Sequence, residues 1–230
     1  MKSSTAILVF TQEVSKDASR KMLTPSKNAE VNRLIFSQLN NFVGRTASAA
    51  ASSSSSLPVF YSNQLVSDNK NTFGKQLSVA IQAVFEKGFD KLICIGNDCP
   101  ALSKIQILDA VEKLKITDTV VGPDQRGGVY LLGISKDSFH AETFENLAWQ
   151  SGRMLASYLK QFAKQNISFL ETLADIHTFE ELQAYTSSRY FIRFLLQLIE
   201  KSALKKIYRY SYLFNSQLIR FSSLRAPPSI

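Results

Sequence analysis

A short apolar run that ends abruptly in polar residues constrains the fold of this chain more than any other feature. The run is Leu92–Ile95, and Gly96, Asn97 and Asp98 follow it directly. A continuous apolar run of this length is typical of a strand buried on both faces of a sheet. Asn97 and Asp98 then lie at the carboxyl end of the strand, the edge where open α/β sheets bind ligands. Asp98 could hold a cation or a sugar hydroxyl there, or it could only cap the turn or the next helix.

The rest of the body alternates between apolar runs of strand length and segments of helical periodicity. Strands are predicted at residues 6–10, 57–61, 92–95, 119–121, 129–134 and 167–170, and helices at residues 29–42, 72–87, 103–115, 138–147 and 152–164 and from residue 179 onward. This alternation predicts an α/β fold, with a mostly parallel sheet that is covered by helices on both faces.

Two segments are predicted to be loops, and one helix has a predicted inner face. The polar residues 11–27 are assigned to the loop that leaves the first strand, and the Ala/Ser-rich residues 46–56 to a mobile loop. Gly44 is predicted to end the helix before the second of these loops. The inner face of the helix at residues 103–115 is predicted to carry Ile105, Leu108, Val111 and Leu114.

The positive charge of the chain is concentrated at its C-terminal end. The net charge is +8, and residues 186–230 contribute +7 of it through eight Lys/Arg and one acid. The near-neutral body offers no basic surface that would match a nucleic acid, so no nucleic-acid partner is expected. We predict two units, a domain at residues 1–185 and a basic amphipathic helical extension at residues 186–230.

The extension has apolar residues at three- and four-residue steps between residues 188 and 212, with Lys and Arg among them. Such a pattern predicts one or two amphipathic helices. The apolar face could pack on the body or on a second subunit, which would make a homo-oligomer. It could also lie on an anionic membrane surface, since aromatic residues and Leu opposite Lys and Arg suit an interfacial helix.

Three further features of the sequence bear on where in the cell the protein is located. No segment approaches the roughly 18 consecutive apolar residues of a transmembrane helix, and the N-terminal apolar segment is too short for a signal peptide. The two cysteines, Cys94 and Cys99, do not indicate a disulfide framework. We expect a cytoplasmic protein, with membrane-peripheral contact as the open alternative.

Three polar groups of residues follow predicted strands. They are Asn97–Asp98, residues 124–128 and Asp175–His177. Each is weak evidence by itself, because polar residues often only cap a turn. Three such groups at the ends of strands favour a common ligand site over three unrelated caps.

The same three segments resemble a known bacterial family. The blocks are G-N-D-C-P-A-L at residues 96–102, G-P-D-Q-R-G-G-V-Y-L-L-G at residues 122–133 and D-I-H-T-F-E-E-L at residues 175–182. They are similar to blocks of glycosyltransferase-like proteins labelled arsenosugar-biosynthesis-type glycosyltransferases, in the GT-A, or nucleotide-diphospho-sugar transferase, superfamily. The resemblance covers about residues 6–185. It implies a GT-A (Rossmann-like) fold, a three-layer α/β/α sandwich, to which the C-terminal extension is added.

The resemblance also implies a ligand and a metal. A nucleotide-diphosphate sugar would lie across the strand ends, and a divalent cation, Mg²⁺ or Mn²⁺, would bridge its phosphates through hard oxygen ligands. Asp98 matches the family block and is the first candidate for a catalytic and metal-binding role, with Asn97 beside it at the nucleotide-sugar. His177 stands where the second acid of a D-x-D-T block is expected, and it is the second candidate metal ligand.

Two segments depart from the family pattern. Arg126 stands where the family has an aspartate before two glycines, and Asp124 could compensate as a catalytic carboxylate. The glycines that follow, Gly127 and Gly128, would allow the backbone to approach the nucleotide-sugar or a neighbouring strand closely. Residues 14–23 lack the Pro and Gly of the family loop that suits a diphosphate. Three basic residues remain there to contact phosphates: Lys16 and Arg20 as the candidates, with Lys21 beside them.

The function that the sequence favours is a metal-dependent transferase that uses a nucleotide-diphosphate sugar and an acceptor that the sequence does not identify. Two alternatives stay open. Fold alone does not separate this reaction from nucleotidyl transfer to a sugar or a small phosphate ester. The changed blocks would also suit a catalytically degenerate protein that only binds a nucleotide-sugar.

Overall fold

The computed structural model describes residues 4–25, 28–54, 57–66, 71–185 and 195–201. The strands are β1 (Thr5–Val9), β2 (Val59–Tyr61), β3 (Lys91–Ile95), β4 (Thr119–Pro123), β5 (Val129–Ser135) and β6 (Ile167–Phe169). The helices are α1 (Val14–Arg20), α2 (Ala29–Ala51), α3 (Phe73–Glu86), α4 (Lys104–Lys113), α5 (Ala141–Glu145), α6 (Met154–Gln161) and α7 (Phe179–Ala184). Short 3-10 turns lie at Ser62–Gln64 and Lys136–Ser138, and residues 195–201 are helical.

The six strands form one mixed sheet with the order β2-β1-β3-β5-β4-β6. Strand β5 runs antiparallel to its neighbours β3 and β4, and the other described strands run parallel to one another. The antiparallel direction of β5 follows from the short connection that precedes it. Only residues 124–128 separate β4 from β5, whereas a parallel connection needs a dozen residues or more. The predicted α/β fold with a mostly parallel sheet is confirmed.

Helices cover both faces of the sheet. Residues of α3 and α6 pack on one face, together with Phe144 of α5. The other face is covered by α4 and by the second half of α2. A third apolar cluster joins α1, the first half of α2, α7 and residues 195–201. The carboxyl ends of the parallel strands therefore remain open between the layers.

The predicted C-terminal extension lies largely outside the described residues. Within residues 195–201, Leu195 and Ile199 are buried in the cluster that contains Leu23, Ile35 and Leu182. This part of the extension packs on the body. The domain boundary, the oligomeric state and any membrane contact of residues 186–230 stay predictions. In the part of the chain that the structure describes, no helix combines the length and the apolar character needed to cross a bilayer.

Both segments that were predicted to be loops contain helix. Helix α2 continues through Gly44 to Ala51, because Ala is the strongest helix former and Ala47 and Ala50 are fully buried. Helix α1 forms within residues 11–27, with the carboxylate of Asp17 in its first turn and Ala18 buried against α2. The extension of α2 depends on the burial of small residues in the tertiary structure, which an Ala/Ser-rich composition does not reveal.

The predicted inner face of α4 is also wrong in part. Ile105 is 70% exposed, whereas Ile107, Ala110 and Leu114 are fully buried. Both sets of positions have helical spacing, so periodicity alone does not choose between them. The structure buries the second set, in which the small Ala110 packs with Ile107 and Leu114 in the core cluster on the sheet.

Two neighbouring isoleucines therefore make a matched test of α4. We expect Ile107→Ala to lower the free energy of unfolding by about 2–4 kcal/mol, since it leaves a cavity in the core. We expect Ile105→Ala to change it by about 0.5 kcal/mol or less, as is usual for exposed positions. Urea unfolding followed by circular dichroism measures both. Equal losses in the two variants would show that the helix is rotated relative to this description.

Candidate functional site

A cavity of about 510 Å³ lies at the carboxyl ends of β1 and β3, beside the turn between β4 and β5. We call one set of its lining side chains the charged end: Arg20, Lys21, Asp98, Asp124, Asp175 and His177. A second set, the aromatic end, consists of Phe10, Phe73, Leu77, Trp149 and Met154. The three polar groups of residues that the sequence places at strand ends thus meet in one cavity.

Asp124 is held by the tight turn after β4. Its carboxylate Oδ1 accepts hydrogen bonds from the backbone N–H groups of Arg126, at 2.6 Å, and Gly128, at 2.8 Å. A Cβ atom on Gly128 would lie 2.4 Å from Oδ2 of the same carboxylate, so only glycine fits there. Gly127 has a φ of +81°, and its α-carbon faces the carbonyl oxygen of Gly152. The close approaches at both glycines are to protein groups, and their contact with a nucleotide-sugar stays a prediction.

Asp175 and His177 lie on a segment that is tied to the Asp98 loop. The N–H of Ile176 donates to the carbonyl oxygen of Asp98 at 2.8 Å, which places the two flanking side chains in the cavity. The backbone N–H of His177 donates to the carboxylate of Glu181 at 2.7 Å, as part of the cap of α7. The segment is therefore fixed at both ends before any ligand binds.

Two side-chain atoms of this segment are buried without a partner. Within the described residues, Oδ1 of Asp175 and Nε2 of His177 are inaccessible to solvent and make no hydrogen bond. A buried polar atom without a partner costs about 1–3 kcal/mol. Both residues line the charged end of the cavity, and a cation bound between their side chains would satisfy the two atoms.

Asp124, Asp175 and His177 can act together as metal ligands. One ligand atom from each lies within 4.8 Å of the other two. Two carboxylates and one imidazole suit a divalent cation that accepts both oxygen and nitrogen, such as Mn²⁺, better than Mg²⁺, which prefers oxygen alone. The orphaned atoms of Asp175 and His177 make this cluster a fit for such an ion.

Asp98 lies beside the cluster and forms an ion pair with Lys21. Lys21 follows α1, and the buried Asn32 of α2 positions it by donating to the carbonyl oxygens of Ala18 and Lys21 at 2.7 and 2.8 Å. The carboxylate of Asp98 is thus engaged by an ammonium group. Its role as a metal ligand stays a prediction.

The charges of these groups shift one another's pKa values. Burial acts to raise the pKa of Asp98, but the Lys21 ammonium outweighs it and holds the pKa below its ordinary value. Burial, together with the negative charges of Asp98 and Asp124, raises the pKa of Asp175 to about 8. Burial and the Lys21 charge lower the pKa of His177. A bound divalent cation would reverse the balance at Asp175 and favour its ionised form.

The remaining candidates from the sequence have different surroundings. Arg20 lines the cavity and donates to the side chain of Gln12 at 3.5 Å, whereas Lys16 does not line it. Asn97 lines the cavity too, and its Nδ2 donates to Asp17 at 3.1 Å and to Asn40 at 2.6 Å. Asn97 therefore ties α1 and α2 to the end of β3, and its contact with a nucleotide-sugar stays a prediction, as does that of Lys16.

Arg126 lines the same cavity. Its guanidinium forms an ion pair with Glu181 of α7, and 55% of its side chain is exposed. The departure from the family pattern at this position therefore places a positive charge beside the metal ligands, which Glu181 offsets and which still contributes to lowering the pKa of His177.

Sequence reasoning did not assign a role to Asp175 or Asn32. The signal for Asp175 was present, since it is the first acid of the D-x-H-T segment, two residues before His177. Asn32 carried no signal, because a polar residue within an amphipathic helix is normally exposed.

The family described as an uncharacterized protein conserved in bacteria (DUF2064) matches residues 37–151, which is half of the chain. The chain belongs to the DUF2064 family. The matched part of this DUF2064 chain contains Asp98 and Asp124, while Lys21, Asp175 and His177 lie outside it. No curated protein matches the chain at a significant level.

Solved structures show the fold of the DUF2064 chain. A Desulfovibrio desulfuricans protein, provisionally named a nucleotide-diphospho-sugar transferase, superposes with a TM-score of 0.67 at 19% identity and covers 87% of this chain and 98% of its own. The fold is thus like that of GT-A transferases and nucleotidyltransferases. Rv0371c from Mycobacterium tuberculosis superposes with a TM-score of 0.49 at 14% identity, covering 82% of this chain and 100% of its own. The same protein was also crystallised in complex with manganese.

Proposed function

We propose that this DUF2064 protein is a metal-dependent transferase that uses a nucleoside-diphosphate sugar, with Asp124, Asp175 and His177 as the metal ligands. One observation carries the proposal: Asp175 and His177, each with one buried and unpartnered side-chain atom, line a cavity that Arg20 and Lys21 also line. A cation bound by Asp175 and His177 would satisfy their unpartnered atoms, and phosphate groups bound by Arg20 and Lys21 would balance the two positive charges. The three sequence blocks support glycosyl transfer as the reaction.

The basic residues hold the diphosphate. Lys21 has three N–H donors, of which the pair with Asp98 uses one, so it can donate to a phosphate oxygen without losing that pair. Asp98 then acts as the group that positions the ammonium. Arg20 adds a second positive charge on the same side of the cavity. When bound, the cation neutralises negative charge on the departing nucleoside diphosphate.

The transfer is a nucleophilic substitution at the anomeric carbon of the sugar. The acceptor hydroxyl oxygen forms a bond to the anomeric carbon, and the bond from that carbon to the diphosphate oxygen breaks. The nucleoside diphosphate leaves with the electron pair. The proton of the acceptor hydroxyl is released to solvent, since the Lys21 ammonium lowers the pKa of Asp98 and makes that carboxylate a weak base.

A thermal-shift experiment tests the proposal. We expect UDP-, GDP- or dTDP-sugar at about 100 times its Kd, with Mn²⁺, to raise the Tm by about 5–10 °C, because ligand binding at that ratio adds about 2.7 kcal/mol. Mg²⁺ is expected to support a smaller shift, and EDTA to abolish it. Release of nucleoside diphosphate in the presence of an acceptor extract then measures turnover.

Three other outcomes would contradict the proposal. Release of pyrophosphate from a nucleoside triphosphate would assign nucleotidyl transfer instead. Nucleotide-sugar binding that is indifferent to metal and gives no turnover would assign a degenerate binding protein. No stabilisation by any nucleotide-sugar would remove the proposed substrate class.

A further inference from the structure

The aromatic end of the cavity has no role in the chemistry proposed above. Phe10 and Phe73 have ring centroids 5.2 Å apart, and the Phe73 and Trp149 rings are 5.5 Å apart. Leu77 and Met154 are buried beneath these rings, at 4% and 2% exposure. The result is an apolar recess in the same cavity as the metal-ligand cluster.

The Trp149 ring of the recess is held in place, and its polar N–H group already has a hydrogen-bond partner in the protein. The indole N–H of Trp149 donates to the carbonyl oxygen of Phe144 at 2.7 Å, so the ring presents only apolar surface to the cavity. Helix α3 packs directly on this ring, since a Cβ atom on Gly74 would lie 2.7 Å from Cδ1 of Trp149. A preorganised apolar recess loses little conformational entropy when a ligand binds.

A nucleobase is better served by a neighbouring cavity. That cavity, of about 310 Å³, lies at the ends of β1 and β2 and shares Phe10 and Gln12 with the first. Side-chain amides and hydroxyls line it, from Thr11, Gln12, Asn40, Ser62, Asn63 and Gln76. Some of these groups already bond within the protein, Gln12 to Gln76 and Ser62 to Thr11, and an amide such as that of Asn63 can pair with the hydrogen-bonding edges of a base. Against Phe73, Leu77 and Met154 the same edges would stay unpaired, which disfavours a base at that end of the cavity.

We infer that the aromatic end binds the second substrate, and that this acceptor is a hydrophobic, ring-bearing alcohol. Its apolar ring lies against Phe73 and Trp149, and its hydroxyl reaches toward the charged end, where transfer takes place. The inference rests on the proposed function for the direction in which the hydroxyl points. The apolar character of the recess stands independently of it.

Trp149 is the only tryptophan in the sequence, so its fluorescence reports on this end of the cavity alone. The probe is 2-phenylethanol, and glucose serves as a polar ring-bearing control. We expect 2-phenylethanol to quench the emission in a saturable way and glucose to leave it unchanged. We also expect 2-phenylethanol to bind with unaltered affinity when UDP and Mn²⁺ are already present.

A pair of variants separates a specific recess from general hydrophobic binding. Phe73→Ala is expected to weaken 2-phenylethanol binding about tenfold, because it removes both a ring–ring contact and the apolar area that the ring buries. Phe169→Ala removes an exposed ring on β6, outside the cavity, and is expected to change nothing. Phe73→Leu keeps apolar volume if the alanine variant fails to fold, and a smaller loss is expected for it.

The outcomes separate this inference from the proposed function. UDP and Mn²⁺ binding without any response to 2-phenylethanol would overturn the acceptor class and leave the proposed function in place. Binding of 2-phenylethanol without any nucleotide binding would overturn the proposed function and leave an aromatic-ligand site. Competition between 2-phenylethanol and UDP, or quenching by UDP that Phe73→Ala weakens, would place the nucleobase in the recess and overturn the inference.

Discussion

Asp175→Asn is expected to abolish manganese-dependent nucleotide binding and to leave the fold intact. The change removes one of three clustered ligands while preserving side-chain volume. Loss of a metal-orienting group outside the ligand shell already costs about 10–100-fold in affinity, so loss of a ligand is expected to cost at least about a hundredfold. Isothermal titration with Mn²⁺, and with UDP in its presence, measures the loss.

The same variant has an expected pH signature in metal-free buffer. Asp175 has a pKa of about 8 in the folded protein against an ordinary value of 3.8, so the folded state holds a proton that the unfolded state has released. Stability of the native chain therefore falls as pH rises from about 4 to about 8. This dependence is absent in Asp175→Asn. The difference in free energy of unfolding between the two proteins, measured in EDTA across that range, isolates the Asp175 contribution.

Asp109→Asn is the matched control, because Asp109 pairs with Lys113 on the surface of α4, outside the cavity. It is expected to bind Mn²⁺ and UDP as the native chain does. Metal affinity that is unchanged in Asp175→Asn would remove Asp175 from the ligand set. Equal metal losses in both variants would show a general effect of charge.

Lys21→Met is expected to destabilise the protein by about 1–3 kcal/mol at neutral pH, between the values for exposed and fully buried ion pairs. It leaves the carboxylate of Asp98 without the ammonium that holds its pKa down, so burial then raises that pKa. The loss is expected to be largest at neutral pH. It shrinks below about pH 4, because the native pair stabilises the fold only while Asp98 is ionised.

The control is Lys75→Met, which breaks the more exposed pair with Glu145. Its expected cost is about 1 kcal/mol or less. The double variant Lys21→Met/Asp98→Asn is expected to recover part of the stability that Lys21→Met loses, because it removes the unpaired charge. A double variant less stable than Lys21→Met would show that Asp98 contributes through partners other than Lys21. Urea unfolding at several pH values measures all four proteins.

The strand ends that form the site could be recognised in the sequence because their signals are local. An apolar run followed by Gly96-Asn97-Asp98 marks a strand end within a few residues. The same holds for Asp124 after β4. These signals were sufficient for the α/β fold, for the order of its elements along the chain and for the polar groups that meet in the cavity.

The side chains that pair with each other in the site could not be recognised from the sequence, because they lie far apart in the chain. Lys21 and Asp98 are 77 residues apart, and only the pairing of β1 with β3 brings them together. The same is true of Arg126 and Glu181, whose ion pair offsets a positive charge that the local motif had placed among the acids. No pattern within a single segment carries this information.

The sequence by itself determined the strands, the helices other than α1, and the chemical groups that stand at the strand ends, because periodicity, breakers and caps act over a few residues. Only the tertiary structure decided how far α2 extends, which face of α4 is buried and which of the basic residues reaches Asp98. Burial decides all three, since helix propensity and residue spacing allow several arrangements of each segment that differ little in local free energy. The packing of Ala47, Ile107 and Asn32 against distant residues selects one answer in each case.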